Sequence, residues 1–248
     1  MTAKTTSAKP RRALVSGASG DIGGAICTAL AAAGCFVYAH AHANPARAQA
    51  AIDEIRARGG AGEVVTFDIA DAAATRAAIE RMLESGPIDI LVHNAGIHDD
   101  APLAGMSEAQ WHRVIDVSLH GFFHATQPLL LPMARAKFGR IIAVSSVAAQ
   151  LGNRGQVNYA AAKSALHGAA KSLAREMASR EVTVNVVAPG VIAGHLAEAA
   201  FDEAQIRQLV PAGRAGWPEE VAALIAFLCS DAAGYVNGQV IGINGGMA

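Results

Sequence analysis

The sequence predicts an α/β protein, a single doubly wound (Rossmann) domain whose mainly parallel seven-stranded sheet is flanked by helices. Three observations carry this. Short runs of branched apolar residues recur along the chain with longer Ala-rich helical stretches between them. The runs read as continuously apolar, as strands buried on both faces do. A glycine-rich turn falls at the first strand-to-helix junction, where a dinucleotide fold places its phosphate site.

Residues 1–10 read as a flexible N-terminal tail: MTAKTTSAKP carries basic residues but leads into a strand, not into an apolar signal core. The domain occupies 11–248. Its strands are predicted at 12–16, 35–40, 63–67, 88–93, 139–145, 182–188 and 239–244, and its helices at about 21–33, 45–58, 72–84, 107–136, 156–179 and 218–230. The segment 190–215 has weak periodicity between a strand and a helix, so it is predicted to be a substrate loop. No repeat and no low-complexity linker divides the chain.

Composition narrows the function. With 248 residues, 52% of them hydrophobic, one compact domain is expected. The 20 basic and 21 acidic residues give a charge of -1, so neither nucleic acid nor an anionic membrane is the expected partner. Mean hydropathy is +0.28, yet no window is apolar for long enough to span a bilayer. Cys27, Cys35 and Cys229 form no CxxC pair, which fits a reducing cytoplasm. Among nine histidines only His40 and His42 alternate closely, on a strand, and no metal is expected.

The chemistry-bearing residues fall at strand ends. In Gly17-Ala18-Ser19-Gly20-Asp21-Ile22-Gly23 the glycines let backbone approach a pyrophosphate, whose charge meets the N-terminus of the next helix. After the second strand no acid occurs before Asp53; His42 and Arg47 stand where an acid would bind ribose hydroxyls, so NADP(H) is expected over NAD(H). His40 and His42 read either as phosphate contacts or as ordinary strand-end residues. Tyr159 and Lys163 are four apart, on one face of a helix. A free tyrosine titrates near about 10, and a neighbouring cation and the positive nicotinamide both favour its phenolate. Ser145-Ser146 ends the fifth predicted strand, at the edge where open α/β sheets bind ligands.

The ordered set SGASGDIG (16–23), FDIAD (67–71), HNAG (93–96), VSSVA (144–148), YAAAK (159–163), VAPG (187–190) and NGGM (244–247) resembles the short-chain dehydrogenase/reductase family across essentially the whole chain. GNRGQVNYAAAKSALHG (152–168) resembles its 3-oxoacyl-acyl-carrier-protein reductase branch. The resemblance implies that Ser146 orients substrate, that Tyr159 is the acid/base and also a cofactor contact, that Lys163 binds nicotinamide ribose and lowers the tyrosine pKa, and that Ser118 belongs to the catalytic set. It implies cofactor contacts from Asp68 and Ile69, from Asn94, Ala95 and Gly96, and from Pro189, Gly190 and Ile192. It also implies reduction of a 3-oxoacyl thioester carried on an acyl carrier protein, and a homotetramer built on helices 107–136 and 156–179. A basic patch of Arg135, Lys137, Arg140 and Arg154 would then meet the acidic carrier.

Three positions depart from the family pattern. The helical asparagine that anchors a relay water falls on Ser118; the basic residue of the phosphate turn is replaced by Gly20; the threonine that binds the carboxamide is Gly194. The run NAGIHDDAPLAGMS with DVSLHGFF is similar to a side branch associated with aryl-polyene synthesis, in which Ser118 is a branch trait. His93 stands where asparagine is usual and reads as a packing variant. His98, Asp99 and Asp100 read either as the active-site mouth or as a solvated turn. Two other functions stay open: a dehydrogenase or reductase of another small alcohol or ketone, and a non-catalytic cofactor-binding partner subunit.

Overall fold

The computed structural model describes residues 9–195 and 201–248; most of the predicted tail, and residues 196–200 of the predicted substrate loop, lie outside the described residues. The strands are β1 (Arg12–Ser16), β2 (Phe36–Ala41), β3 (Ala61–Thr66), β4 (Ile90–His93), β5 (Gly139–Val144), β6 (Val182–Pro189) and β7 (Val240–Ile243). The helices are α1 (Asp21–Ala32), α2 (Ala46–Ala57), α3 (Ala72–Glu84), α4 (Glu108–Ile115), α5 (Gly121–Ala136), α6 (Ala148–Leu151), α7 (Val157–Met177), α8 (Glu203–Leu209) and α9 (Pro218–Cys229).

All seven strands pair in parallel, in the order β3-β2-β1-β4-β5-β6-β7. The order reverses between β1 and β4, the crevice at which doubly wound sheets bind ligands. Register aligns the strand ends: Ser16 pairs with His93, His93 with Ala143, and Ala143 with Val186. The segments that follow these four residues therefore emerge together at one carboxyl edge. One face of the sheet packs Ile26, Leu30, Ile52, Val221 and Ile225 from α1, α2 and α9. The other packs Ile79, Leu129, Met133, Leu166 and Ala170 from α3, α5 and α7. These are the two apolar faces that the uninterrupted strand sequences require.

Three predicted features are corrected. The helix predicted over 107–136 is interrupted by a π turn at Asp116–His120, closed by a hydrogen bond from the Gly121 N–H to the Asp116 carbonyl. Single π turns inside α-helices are frequent at functional sites. The predicted loop 190–215 contains α8, whose start is a reciprocal Asp202/Gln205 capping box. The predicted carrier patch is dispersed. Arg135, Lys137 and Arg140 flank the start of β5, a strand length of roughly 20 Å away from Ser146. Arg140 is buried, stacked 4.3 Å over Phe138 and donating to the Glu181 carbonyl at 3.2 Å. Of the four, Arg154 alone follows the carboxyl edge, in the exposed turn before α7.

Candidate active site

The phosphate turn is shaped by buried groups behind it. His40, 2% exposed, accepts the Gly17 N–H at Nδ1 (3.3 Å), donates from Nε2 to the Phe67 carbonyl (2.9 Å), and offers its own carbonyl to the Ala18 N–H (2.8 Å). Burial pushes its pKa down to about 4, so the ring is a neutral strut and not a phosphate contact. The Asn94 amide donates to the carbonyls of Ser16 (3.2 Å) and Gly17 (3.0 Å), so this side chain clamps the turn from β4. A Cβ at Gly23 would lie 2.8 Å from the Ala18 Cα, too near for any side chain. Gly20 gives α1 no side-chain cap, leaving the first-turn amides of α1 open to an anion. This cradle fits a dinucleotide pyrophosphate.

Asp21, the first residue of α1, reaches across the turn. It pairs with Arg47 of α2 and accepts the His195 N–H at 3.1 Å. Burial raises its pKa, but the hydrogen bonds from Arg47 and His195 outweigh that and hold the carboxyl below its ordinary range. A Cβ at Gly194, whose φ is +134°, would overlap this carboxylate, standing 2.8 Å from Asp21 Cγ. The glycine that replaces the family threonine thus accommodates the acid in the turn. Gly194→Ala is expected to cost about 1–3 kcal/mol, as overpacking does, and less in an Asp21→Gly background. Thermal unfolding of the four proteins checks this, and equal costs in both backgrounds would refute it.

At the adenosine end, His42 Nε2 lies 3.9 Å from Asp68 Oδ2, both side chains exposed beyond β2 and β3. Ile69 is buried against Gly121, and its carbonyl accepts His124 Nδ1 at 3.1 Å. Asp68 and His42 are therefore the exposed polar side chains beyond these strands, with Ile69 packed behind. Pro189 closes β6, where its carbonyl accepts the Val147 N–H at 2.7 Å. Gly190 lies against Asn244, and Ile192 bridges to Gly216, which anchors the start of the segment after β6.

Ser145 and Ser146 divide their roles by direction. The Ser145 hydroxyl is buried, donating to the Lys163 carbonyl at 2.9 Å and lying 2.8 Å from His167 Nε2; it ties β5 to α7. The Ser146 hydroxyl accepts the Ala148 N–H at 3.2 Å and is near enough to Tyr159 to oppose the rise in its pKa. Lys163 is 3% exposed and donates from Nζ to the Val144 carbonyl at 2.9 Å, with Nζ 5.8 Å from the Tyr159 ring centroid. Burial lowers its pKa to about 8. In the protein alone the pKa of Tyr159 is raised, by burial first, with Ser146 opposing and the Asp100 charge adding. The protein's own residues thus keep Tyr159 protonated.

Some functional residues escaped the sequence reading. Asn158 is wholly buried, donating to the carbonyls of Asp99 (3.0 Å) and Gln110 (3.2 Å) and accepting the Tyr159 N–H (2.8 Å), and so sets the first turn of α7. Its place beside the tyrosine was the available signal. Asp99 also pairs with Arg113, and Asp100 accepts from Gln156 at 2.8 Å, which ties this turn to α4 and to the start of α7. Ser118 is fully buried in the π turn and its hydroxyl has no hydrogen-bond partner among the described residues. A Cβ at Gly96 would lie 2.8 Å from Lys163 Nζ and 3.5 Å from Ser118 Oγ, so the ammonium and the orphaned hydroxyl border the same backbone. Among the described residues no three metal-ligating side chains converge.

A doubly wound sheet with this phosphate turn, and with a serine, a tyrosine and a lysine converging beside it, defines a nicotinamide-dependent oxidoreductase. The chain belongs to the short-chain dehydrogenase/reductase family: a family model described as Enoyl-(Acyl carrier protein) reductase matches residues 17–248. It is 43% identical over 238 residues to the 3-oxoacyl-(acyl-carrier-protein) reductase FabG of Escherichia coli (strain K12), covering 95% of this chain and 96% of that one. It is 41% identical over 240 residues to FabG of Staphylococcus aureus (strain Mu50), covering 96% and 98%.

Proposed function

We propose that the protein is an NADPH-dependent 3-oxoacyl-(acyl-carrier-protein) reductase of fatty-acid synthesis, converting the carrier-bound 3-oxo thioester to its 3-hydroxyacyl form. The observation that carries the reading is the meeting of Ser146, Tyr159 and Lys163 at the carboxyl edge of a chain that matches such reductases over nearly its whole length. The bound nicotinamide supplies hydride to the carbonyl carbon. Ser146 donates a hydrogen bond to the substrate oxygen and orients it. Tyr159, held protonated, passes its proton to that oxygen as charge develops there. Lys163 presents its ammonium to the ribose hydroxyls and to the phenol. The Ser118 hydroxyl faces the space beside Lys163, where a relay water would return a proton to Tyr159.

The turn of Gly17, Ser19, Gly20, Asp21, Ile22 and Gly23 holds the pyrophosphate; Arg47 and His42, with no acid at the end of β2, favour a 2′-phosphate. Asn94, Ala95 and Gly96 line the ribose side, and Pro189, Gly190 and Ile192 the nicotinamide side. Exposed Phe123 and Leu131 on α5 suit burial in a homotetramer through α5 and α7. No helix among the described residues is long and apolar enough to cross a membrane, and the three cysteines are free thiols, which suits a cytoplasmic enzyme.

The test follows the absorbance of NADPH and NADH with a 3-oxoacyl carrier-protein substrate, run beside aryl-polyenoyl chains to fix the pathway. Turnover that prefers NADPH is expected. Turnover of other ketones alone would overturn the substrate, and a preference for NADH would overturn the roles of Arg47 and His42.

A further inference from the structure

We propose that His93 is a positioning residue for the proton route: through the carbonyl of Ser118 it fixes where the Ser118 hydroxyl lies beside Lys163. The inference rests on the reading of Ser118 and Lys163 given above. His93 ends β4, is fully buried, and stands in register with Ser16.

Its hydrogen bonds are determined by counting. The Ser16 hydroxyl oxygen accepts the N–H groups of Asn94 and Ala95, both at 3.0 Å, which fills its two lone pairs. Its single hydrogen therefore goes to His93 Nδ1, at 3.3 Å. A ring that accepts at Nδ1 carries its hydrogen on Nε2, and Nε2 lies 2.9 Å from the Ser118 carbonyl. Four elements face the ring: Ser16 from β1, Lys163 from α7, the π turn through Ser118, and Phe122 of α5, whose ring centroid is 5.7 Å away; His40 of β2 is the other titratable neighbour. Burial first, then the charge of Lys163, pushes the His93 pKa down to about 3, so the tautomer is fixed across the working range.

Fixing a carbonyl fixes the adjoining Cα and the direction of its side chain. The Ser118 hydroxyl then borders, with the Lys163 ammonium, the same stretch of backbone at Gly96. Among the described residues that hydroxyl has no hydrogen-bond partner, Lys163 included; a water bridging it to the ammonium would satisfy the hydroxyl and favour the charged form. His93 and Ser118 both depart from the family pattern, and the geometry makes them one unit: the imidazole engages the backbone of the π turn and leaves the hydroxyl for Lys163.

The test reads Lys163 directly, by NMR titration of protein carrying lysine labelled with carbon-13 at Cε, the resonance being assigned by its loss in Lys163→Met. His93→Gln keeps a donor near the Nε2 position; His93→Asn keeps an acceptor for Ser16 but is too short for Ser118. Lys163 is expected to titrate about one unit lower in His93→Asn, and as in the native protein in His93→Gln. The alkaline limb of kcat should move with it. Ser118→Ala, which leaves His93 untouched, should give the same downward shift, and adding His93→Asn to it should give no further one. Equal shifts in the Gln and Asn variants, or a shift from His93→Asn that persists in the Ser118→Ala background, would overturn the proposal. The titration needs no substrate, so its outcome is separate from the identity of the carbonyl compound reduced.

Discussion

Tyr159→Phe is expected to lower the kcat of carbonyl reduction by about 10²–10⁴-fold, the range that a positioned general acid contributes. NADPH affinity should be essentially unchanged. Burial and the Asp100 charge raise the pKa of Tyr159, so the phenol holds its proton through the neutral range and releases it only to a stronger base. The oxygen that receives hydride is such a base. Ser146 is the neighbour that opposes the rise in the phenol's pKa, so a substrate oxygen placed between the two hydroxyls has both a donor to orient it and an acid to protonate it. Phenylalanine keeps the ring and its packing on α7 but removes the acid. Single-turnover rates and an NADPH fluorescence titration, measured on both proteins, separate the two effects. A loss of less than tenfold in the chemical step would show that the proton comes from elsewhere; a parallel loss of NADPH binding would show that the phenol serves the cofactor and not the chemistry.

The fold was legible in the sequence because its signals are local and repeated. Apolar strand runs between Ala-rich helices can be buried only in a covered parallel sheet, and the glycine turn at 17–23 marks the crevice where the strand order reverses. Ser146, Tyr159 and Lys163 were legible through spacing. The supporting groups were not, since each acts across many residues of chain. His40 reaches Phe67, Asn158 reaches Asp99 and Gln110, and His93 reaches Ser118, and nothing in the local pattern separates such a residue from a packed polar one. The π turn escaped for a related reason: it lies inside a helical periodicity long enough to hide one extra residue. The burial of Tyr159 and Lys163 was not legible either: a four-residue spacing suggests proximity to a cation without reporting that the ammonium is engaged by the Val144 carbonyl, or that burial acts on both groups. The carrier patch failed because positive charge was read along the chain, whereas Arg135, Lys137 and Arg140 belong to the opposite end of β5.

Lys163→Met is expected to abolish reduction and, at pH 7, to stabilise the fold. Burial takes the lysine's pKa from 10.5 to about 8, which corresponds to on the order of 3 kcal/mol held against folding while the group is charged in both states. Methionine has similar volume and no charge to desolvate, and replacing a buried cation by an apolar side chain is often stabilising. The sign of the pH dependence follows. Between about pH 8 and 10.5 the unfolded chain keeps the proton that the folded chain has released, so the native protein gains stability with rising pH in that window and the variant does not. Denaturant unfolding at pH 7 and pH 10 should therefore show the variant's advantage shrinking as pH rises, and taking the difference between the two proteins removes every other titrating group. Activity runs the opposite way: as native Lys163 loses its proton above about pH 8, the cation beside Tyr159 is lost and reduction declines. A variant less stable than the native protein at pH 7 would mean that the bond to Val144 outweighs the burial of charge. A more stable and inactive one would mean that this site keeps a cation for the sake of the reaction and at the expense of the fold.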